Sequence, residues 1–304
     1  MSEREGIETP IAELGSREHR FVHFKSGVVE KNAAEQEKDE GAENTAPWRD
    51  AGPKLRQATL FYMARRRFFV DEVRSGRAQI QGEDAHHLTR VLRVETGQKY
   101  EISDNHDVYL AVVETARKDG VSFSILEKIS APEMPLRITA AIALIKIDRF
   151  EWLIEKATEL GVEVIAPFMA ERSEKGLDLA ARKRAGRWRK IAREASEQSR
   201  RARLPEISET LPFEEAVAMT ADIKLALEEQ VGAQPILAAV PSGAALDKSV
   251  AILAGPEGGW TDRERTIFTE SGWTPVSLGP TILRTETAVI AALSVIGAAA
   301  GGRI

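Results

Sequence analysis

Two stretches near the C-terminus combine glycine, arginine and carboxylate residues at spacings that could do chemistry. The first, GPEGGWTDRE from Gly255 to Glu264, follows the apolar run VAILA, and the second, SLGPTILRTETA, comes shortly after it. In the first, Gly255, Gly258 and Gly259 allow close backbone approach and positive φ, and Glu257 sets one carboxylate among them. In the second, Gly279 and Pro280 turn the chain, and Arg284, Thr285, Glu286 and Thr287 crowd polar groups ahead of an apolar helix. Neither stretch is a phosphate loop, since GxxxxGK[ST] is absent and GPEGGW is not GxGxxG. Two readings of the pair stand: plain strand-to-helix turns closed by a capping box, or loops presenting free backbone N–H groups to a ligand at strand carboxyl ends.

A second signal is RKRAGRWRKIAREASEQSRRAR, residues 182 to 203, with ten Lys or Arg against two Glu in a chain of net charge -5. Such a helix could neutralise phosphates, making binding salt-dependent, or it could be a solvated face of snorkelling arginines. Arg65, Arg66, Arg67, Arg90 and Arg93 form a second positive region. His86 and His87 fall in a predicted helix, either one packed and one exposed or in contact with RNA. Trp188 reads as a packing anchor or a base-stacking platform, and Trp260 as a cover for the ligand loop or part of the core.

The elements that must position these residues fall into two groups. RRFFV, RAQIQG, QKYEIS, VYLAVVETA and VSFSILEKI read as short strands around one helix, EDAHHLTRVLRV, which suggests a compact β-barrel-like module over 63–133. Pro132 and Pro135 mark a linker. From 134 to 304 strands and helices alternate, predicting an α/β unit with a mostly parallel sheet covered on both faces. RITAAIALI is a nearly continuous apolar run. Asp148 with Glu151 predicts a capping box opening a helix that Gly161 stops, Leu177 to Arg203 a long helix, and Thr261 with Glu264 a second capping box. Residues 1 to 62 carry many charges and no sustained period, and read as a disordered extension before a normal-looking start at Met63.

Composition excludes several classes. With 304 residues, pI near 5.8 and no long uninterrupted apolar window, a membrane span is not expected. The N-terminus lacks a signal-peptide core, and zero cysteines exclude disulfides and thiolate metal sites and fit a reducing, cytoplasmic setting. Five histidines, two of them adjacent, are poor material for zinc, so no metal is expected.

LAGPEGGW with SLGPTILRTETA resembles the paired C-terminal motifs of the SPOUT methyltransferases. HHLTRVLRV, KIDRFEWLIEKATELGV, PFMAERSE, WRKIAREASEQSRR and LPEI together are similar to the ribosomal small subunit methyltransferase E family, over about residues 65 to 304. The resemblance implies a SPOUT-type parallel sheet with a deep trefoil knot, preceded by a small PUA-like barrel that binds RNA. It implies S-adenosylmethionine as cofactor, N3 of a uridine in the 16S rRNA of the small ribosomal subunit as the methyl acceptor, and a homodimer. The implied cofactor contacts are Leu227, Gly255, Pro256, Glu257, Gly258, Leu278, Gly279, Ile282, Leu283 and Thr287. Arg66, Arg67, His87, Arg90, Arg93, Arg189, Arg193, Arg200 and Arg201 are the implied RNA contacts. One departure is Asp104-Asn105-His106, where the family often has Asp-Gly; another is serine in EASEQS, where a cysteine sometimes stands.

Uridine N3 is largely protonated at neutral pH, so its methylation needs the proton removed or the anion stabilised. Arg284 and Arg172 are the candidates for the second task, with Arg200 or Arg201 as the backup. Glu286 or Glu257 is either a base or the anchor of an arginine, and the competing role for Arg284 and Glu286 is an ion pair bracing the last loop. Two rival functions remain: a related SPOUT enzyme acting on tRNA or 23S rRNA, and a non-catalytic RNA-binding assembly protein.

Overall fold

A computed structural model describes residues 66–131, 136–230, 232–240 and 248–300. The expected disordered extension over 1–62, Arg65 and the linker prolines Pro132 and Pro135 lie outside the described residues. In the first group of elements, β1 (Arg67–Phe69), β2 (Arg77–Gln81), β3 (Lys99–Ser103), β4 (Val108–Arg117) and β5 (Gly120–Ile129) form one sheet in the order β1-β3-β4-β5-β2. β1 and β3 run parallel and the other pairs antiparallel. Helix α1 (Gly82–Arg90) follows β2 and buries Ala85 and Leu88 against Phe68, Ile80, Ile102 and Phe123. That leaves both His86 and His87 exposed, which corrects the expectation that one of them packs. At the departure from the family's Asp-Gly turn, Asn105 takes φ 68°, a left-handed conformation that asparagine tolerates better than most residues.

The second sheet holds β6 (Arg137–Ala143), β7 (Val164–Met169), β8 (Glu206–Ile207), β9 (Leu211–Pro212), β10 (Ile223–Leu227), β11 (Gln234–Pro235), β12 (Ser249–Ala254) and β13 (Thr274–Ser277). Its order is β11-β13-β10-β12-β6-β7-β8, with β9 also on β7, and every pairing is parallel. The helices are α2 (Ile147–Glu159), α3 (Leu177–Gln198), α4 (Phe213–Val217), α5 (Ile236–Ala239), α6 (Asp262–Glu270) and α7 (Thr285–Ala299). Both faces of the central strands are buried, which is why they read as unbroken apolar runs. Ile138, Ala140, Ile142, Val250 and Ile252 pack toward α2, α3 and α7, whereas Ala141, Ala143, Ala251 and Leu253 pack toward Phe213, Phe268, Trp260 and Trp273. Trp188 is buried with its ring centroid 4.7 Å from that of Phe150, so it is a packing anchor.

Two predicted boundaries are corrected. The first capping box is absent: α2 begins at Ile147, after Lys146, which offers no side-chain cap. Glu151 is instead drawn off by Arg187 at 2.8 Å and Arg184 at 3.4 Å on α3. Helix α3 ends at Gln198 and not at Arg203, because Arg200 leaves the helix with φ 57°.

That exit joins the two groups of elements. Glu101 on β3 is fully buried, and its carboxylate accepts from Arg67 Nε at 3.2 Å, Arg67 Nη2 at 2.8 Å and the guanidinium of Arg200. Arg67 Nη1 donates to the Arg200 carbonyl at 2.5 Å, Ser103 Oγ to the Ala202 carbonyl at 2.6 Å, and the Leu204 N–H to Asn105 Oδ1 at 2.7 Å. On α3, Arg193 donates to the Phe69 carbonyl at 2.6 Å and pairs with Asp84 and Glu197.

Burial pushes the Glu197 carboxyl up from 4.5 to about 7, against the pull of Arg193 and of the Phe69 backbone and with a push from Asp84. A raised carboxyl is neutral in the fold under acidic conditions, so its contribution is intact below its ordinary value and is lost as pH rises toward 7. Glu197→Gln is therefore expected to stabilise the protein by about 1–3 kcal/mol near pH 8 and to change little near pH 4. Urea denaturation at the two pH values checks this.

Candidate functional site

The carboxyl ends of the neighbouring strands β13, β10 and β12 open into one cleft, and the loops that follow them form its walls. Trp260 is its base. The indole is buried, its Nε1 donates to the Leu227 carbonyl at 2.9 Å, and it lies among Phe168, Phe213 and Phe268. Trp260 thus belongs to the cleft and to the core at once. A Cβ on Gly255 would stand 2.8 Å from the indole, and one on Gly258 would stand 3.0 Å from the Arg172 Cβ. Gly259 holds φ 70° and Gly279 φ 139°, both outside the range that side chains readily adopt.

The loops are tied to one another. Thr285 Oγ1 donates to the Gly255 carbonyl at 2.9 Å, joining the start of α7 to the first glycine loop. Arg172 Nη1 donates to the carbonyls of Gly258 at 3.1 Å and Trp260 at 3.4 Å. The expected Thr261–Glu264 capping box is present and reaches further, because Glu264 Oε1 also accepts the Glu171 N–H at 2.9 Å. Arg265 fixes the third loop through Glu228, Nε to Oε2 at 2.8 Å.

Of the expected cofactor contacts, Leu227, Gly255, Pro256, Leu278, Gly279 and Leu283 line the cleft, and Glu257, Gly258, Ile282 and Thr287 stand outside the lining. Sequence reasoning missed Glu229, Ser277 and Thr281 as lining residues. It also missed Arg149, in the first turn of α2. The Arg149 guanidinium hydrogen-bonds Glu257, and its Nε lies 4.0 Å from Glu286 Oε1. Glu286 is buried and its charged neighbour is Arg149, so the anticipated brace between Arg284 and Glu286 does not form. Arg284 is the N-cap residue of α7, exposed, with no side-chain partner among the described residues.

The basic residues separate into two sets. Arg66, His87, Arg90, Arg93 and Arg189 are exposed. Arg67, 2 % exposed, is enclosed by Glu101 and the Arg200 backbone, and a guanidinium with no open surface cannot meet a phosphate. Arg200 is committed to Glu101 and Arg193 to Phe69, Asp84 and Glu197. Arg201 donates to the Thr158 carbonyl at 2.8 Å, and burial lowers its pKa to about 10. Arg67, Arg193 and Arg200 thus join the two groups of elements, whereas Arg201 ties the end of α3 to α2 within the second. Among the described residues there is no acid, histidine and cysteine cluster able to hold a metal ion, and no helix long and apolar enough to cross a membrane.

Comparison with known proteins adds the following. Residues 132–297 match the family model for an RNA methyltransferase domain, and residues 80–126 match that for an RNA methyltransferase PUA domain. The chain is 38% identical over 226 residues to the ribosomal RNA small subunit methyltransferase E of Bacillus subtilis, covering 71% of this chain and 88% of that protein. It is 33% identical over 241 residues to the enzyme of the same name from Mycobacterium bovis, covering 76% and 90%. The crystal structure of the Neisseria gonorrhoeae enzyme of that name bound to S-adenosyl methionine matches with a TM-score of 0.68 at 29% identity, covering 76% of this chain and 95% of that one. A Legionella pneumophila methyltransferase with bound cofactor SAM matches with a TM-score of 0.67 at 30% identity, covering 77% and 98%. A parallel sheet ending in glycine loops, a barrel-like sheet before it, and these matches across both lead to one conclusion: the chain belongs to the ribosomal RNA small subunit methyltransferase E family.

Proposed function

We propose that this protein uses S-adenosylmethionine to methylate N3 of a uridine in the 16S rRNA of the small ribosomal subunit. The observation that carries the reading is the cleft at the ends of β10, β12 and β13, lined by Gly255 where a side chain would strike Trp260, with Gly258 just outside the lining where one would press on Arg172. Such backbone-lined walls suit the adenosine of the cofactor, which Leu227, Gly255, Pro256, Leu278, Gly279 and Leu283 would hold. When bound, S-adenosylmethionine supplies an electrophilic methyl group on its sulfonium. The remaining tasks fall to the chain. Arg284, at the start of α7 and without a side-chain partner among the described residues, supplies a cation for charge developing on the uracil ring. Arg172 keeps Nε and Nη2 for the same purpose while its Nη1 holds the first loop. Arg284→Ala is expected to lower the methylation rate by about 10- to 1,000-fold with cofactor affinity little changed, read by single-turnover kinetics and calorimetry.

The same reading takes 63–133 as an RNA-holding module, 134–304 as the methyltransferase domain with its strand-end loops threaded as a trefoil knot, and a homodimer as the working unit. The RNA-facing surface consists of Arg66, His87, Arg90, Arg93 and Arg189 with the neighbouring exposed cations Arg182, Lys183 and Lys190. Reversing the charge of Arg182, Lys183, Arg189 and Lys190 together is expected to weaken RNA binding and to reduce the salt slope by roughly 3–4. Filter binding across a salt series reads both.

The deciding experiment incubates the protein with labelled S-adenosylmethionine and small subunits lacking uridine methylation, then maps the product by mass spectrometry. A 3-methyluridine in 16S rRNA is the expected result. Cofactor binding with transfer only to tRNA or 23S rRNA would overturn the choice of target, and no cofactor binding would overturn the reading as a whole.

A further inference from the structure

Glu286 stands in the first turn of α7, 6 % exposed, next to Thr285, which lines the cleft. Its Oε2 is fully buried and has no hydrogen-bond partner among the described residues. Its other oxygen has Arg149 Nε at 4.0 Å, an ion-pair distance that is too long for a hydrogen bond. Buried carboxylates in folded proteins normally have their acceptor positions filled, because an unfilled one forfeits its hydration for nothing. The start of a helix favours the negative charge but donates nothing to Oε2 here. Among the described residues the other unpartnered buried polar atom is Trp188 Nε1, in the core against Phe150, whereas Glu286 follows the cleft residue Thr285 without itself lining the cleft.

We propose that Glu286 is a specificity-determining residue whose Oε2 accepts the imide N–H of the target base, and that Arg149 is the positioning residue tying it to Glu257 on the first loop. This rests on the uridine-N3 reading above. The uracil ring nitrogen carries a hydrogen that a carboxylate can accept. Cytosine presents a bare lone pair at that position, which a carboxylate repels. The pocket therefore selects bases with a ring N–H, and a misplaced cytosine is rejected because an acceptor faces an acceptor. Methylation would replace the ring N–H by N–CH3, with the displaced proton leaving through Oε2, so the product offers Oε2 no hydrogen and the hold on product falls. Base entry requires Oε2 to be uncovered, and the partly exposed Arg149 is the member of the group whose long side chain can swing.

The test uses the full chain, with small-subunit rRNA fragments carrying uridine, cytidine or 3-methyluridine at the target position. Wild type is expected to bind the uridine RNA about tenfold or more tightly than the cytidine RNA, and Glu286→Met to bring that ratio to about 2 or below. The variant should bind S-adenosylmethionine within about threefold of wild type and unfold at no lower temperature, since it removes an unsatisfied buried acceptor and a long ion pair while Arg149 keeps its bond to Glu257. Arg149→Met is expected to cut the methylation rate about tenfold or more, and Arg149→Lys to stay within about threefold of wild type. If Glu286→Met keeps both the uridine preference and the rate, Glu286 is not the acceptor. Wild type that methylates uridine N3 alongside such a variant overturns only this inference, whereas wild type that leaves N3 untouched overturns it together with the function proposed above.

Discussion

Glu101→Ala is expected to lower the unfolding free energy by about 3–5 kcal/mol, the usual cost of removing one member of a buried ion pair. The residue looks unremarkable in KYEIS, yet its carboxylate is fully buried and accepts from both Arg67 and Arg200. Truncation leaves the Arg67 guanidinium, 2 % exposed, with no anion and no path to water. Arg200 is a third exposed and can turn outward, so the penalty falls on Arg67. Urea denaturation measures the loss. Replacing Arg67 by Met and Glu101 by Leu in the same chain should recover most of it, because an apolar pair of similar size carries no desolvation cost. A Glu101→Ala change below about 1 kcal/mol would mean that water reaches Arg67.

Gly255→Val is expected to weaken S-adenosylmethionine binding about 100-fold or more, equivalent to about 2.7 kcal/mol. The new Cβ would stand 2.8 Å from the Trp260 indole, closer than real carbon atoms approach. The indole cannot retreat, since its Nε1 is bonded to the Leu227 carbonyl and Phe168, Phe213 and Phe268 surround it. The loop must move instead, pulling the Gly255 carbonyl from Thr285 Oγ1 and opening the cleft wall. Calorimetric titration reads the affinity, with thermal unfolding as the check that the fold survives. An unchanged affinity would show that the cofactor does not lean on this loop.

Much of this was legible in the chain. The buried parallel strands β6 and β12 show as apolar runs because both faces are covered, and the Thr261–Glu264 box marks a helix start whose two side chains need only each other and the local backbone. Residues that answer to distant partners were not legible. Asp148 and Glu151 have the same spacing as the true box, but Glu151 is bound by Arg184 and Arg187 on α3 and the cap never forms. Arg200 reads as one more cation in a basic helix until the chain bends there to reach Glu101. Alternation in β3 would send Glu101 to solvent, and only the packing of the second sheet's elements against that face makes it interior. Arg149 went unnoticed for a similar reason, as its two carboxylates lie over a hundred residues away in sequence.

The junction built on Glu101, with Ser103, Asn105 and Arg193 around it, sets the span between the first sheet's exposed cations and the cleft. The protein is in effect a caliper whose jaws are tied by hydrogen bonds and an ion pair. On the function proposed above, RNA held by the exposed cations would present to the cleft only the nucleotide lying at that span, which would make the choice of target partly a measurement of length. Loosening the junction would then blur which nucleotide is reached before it slowed the reaction at any one of them.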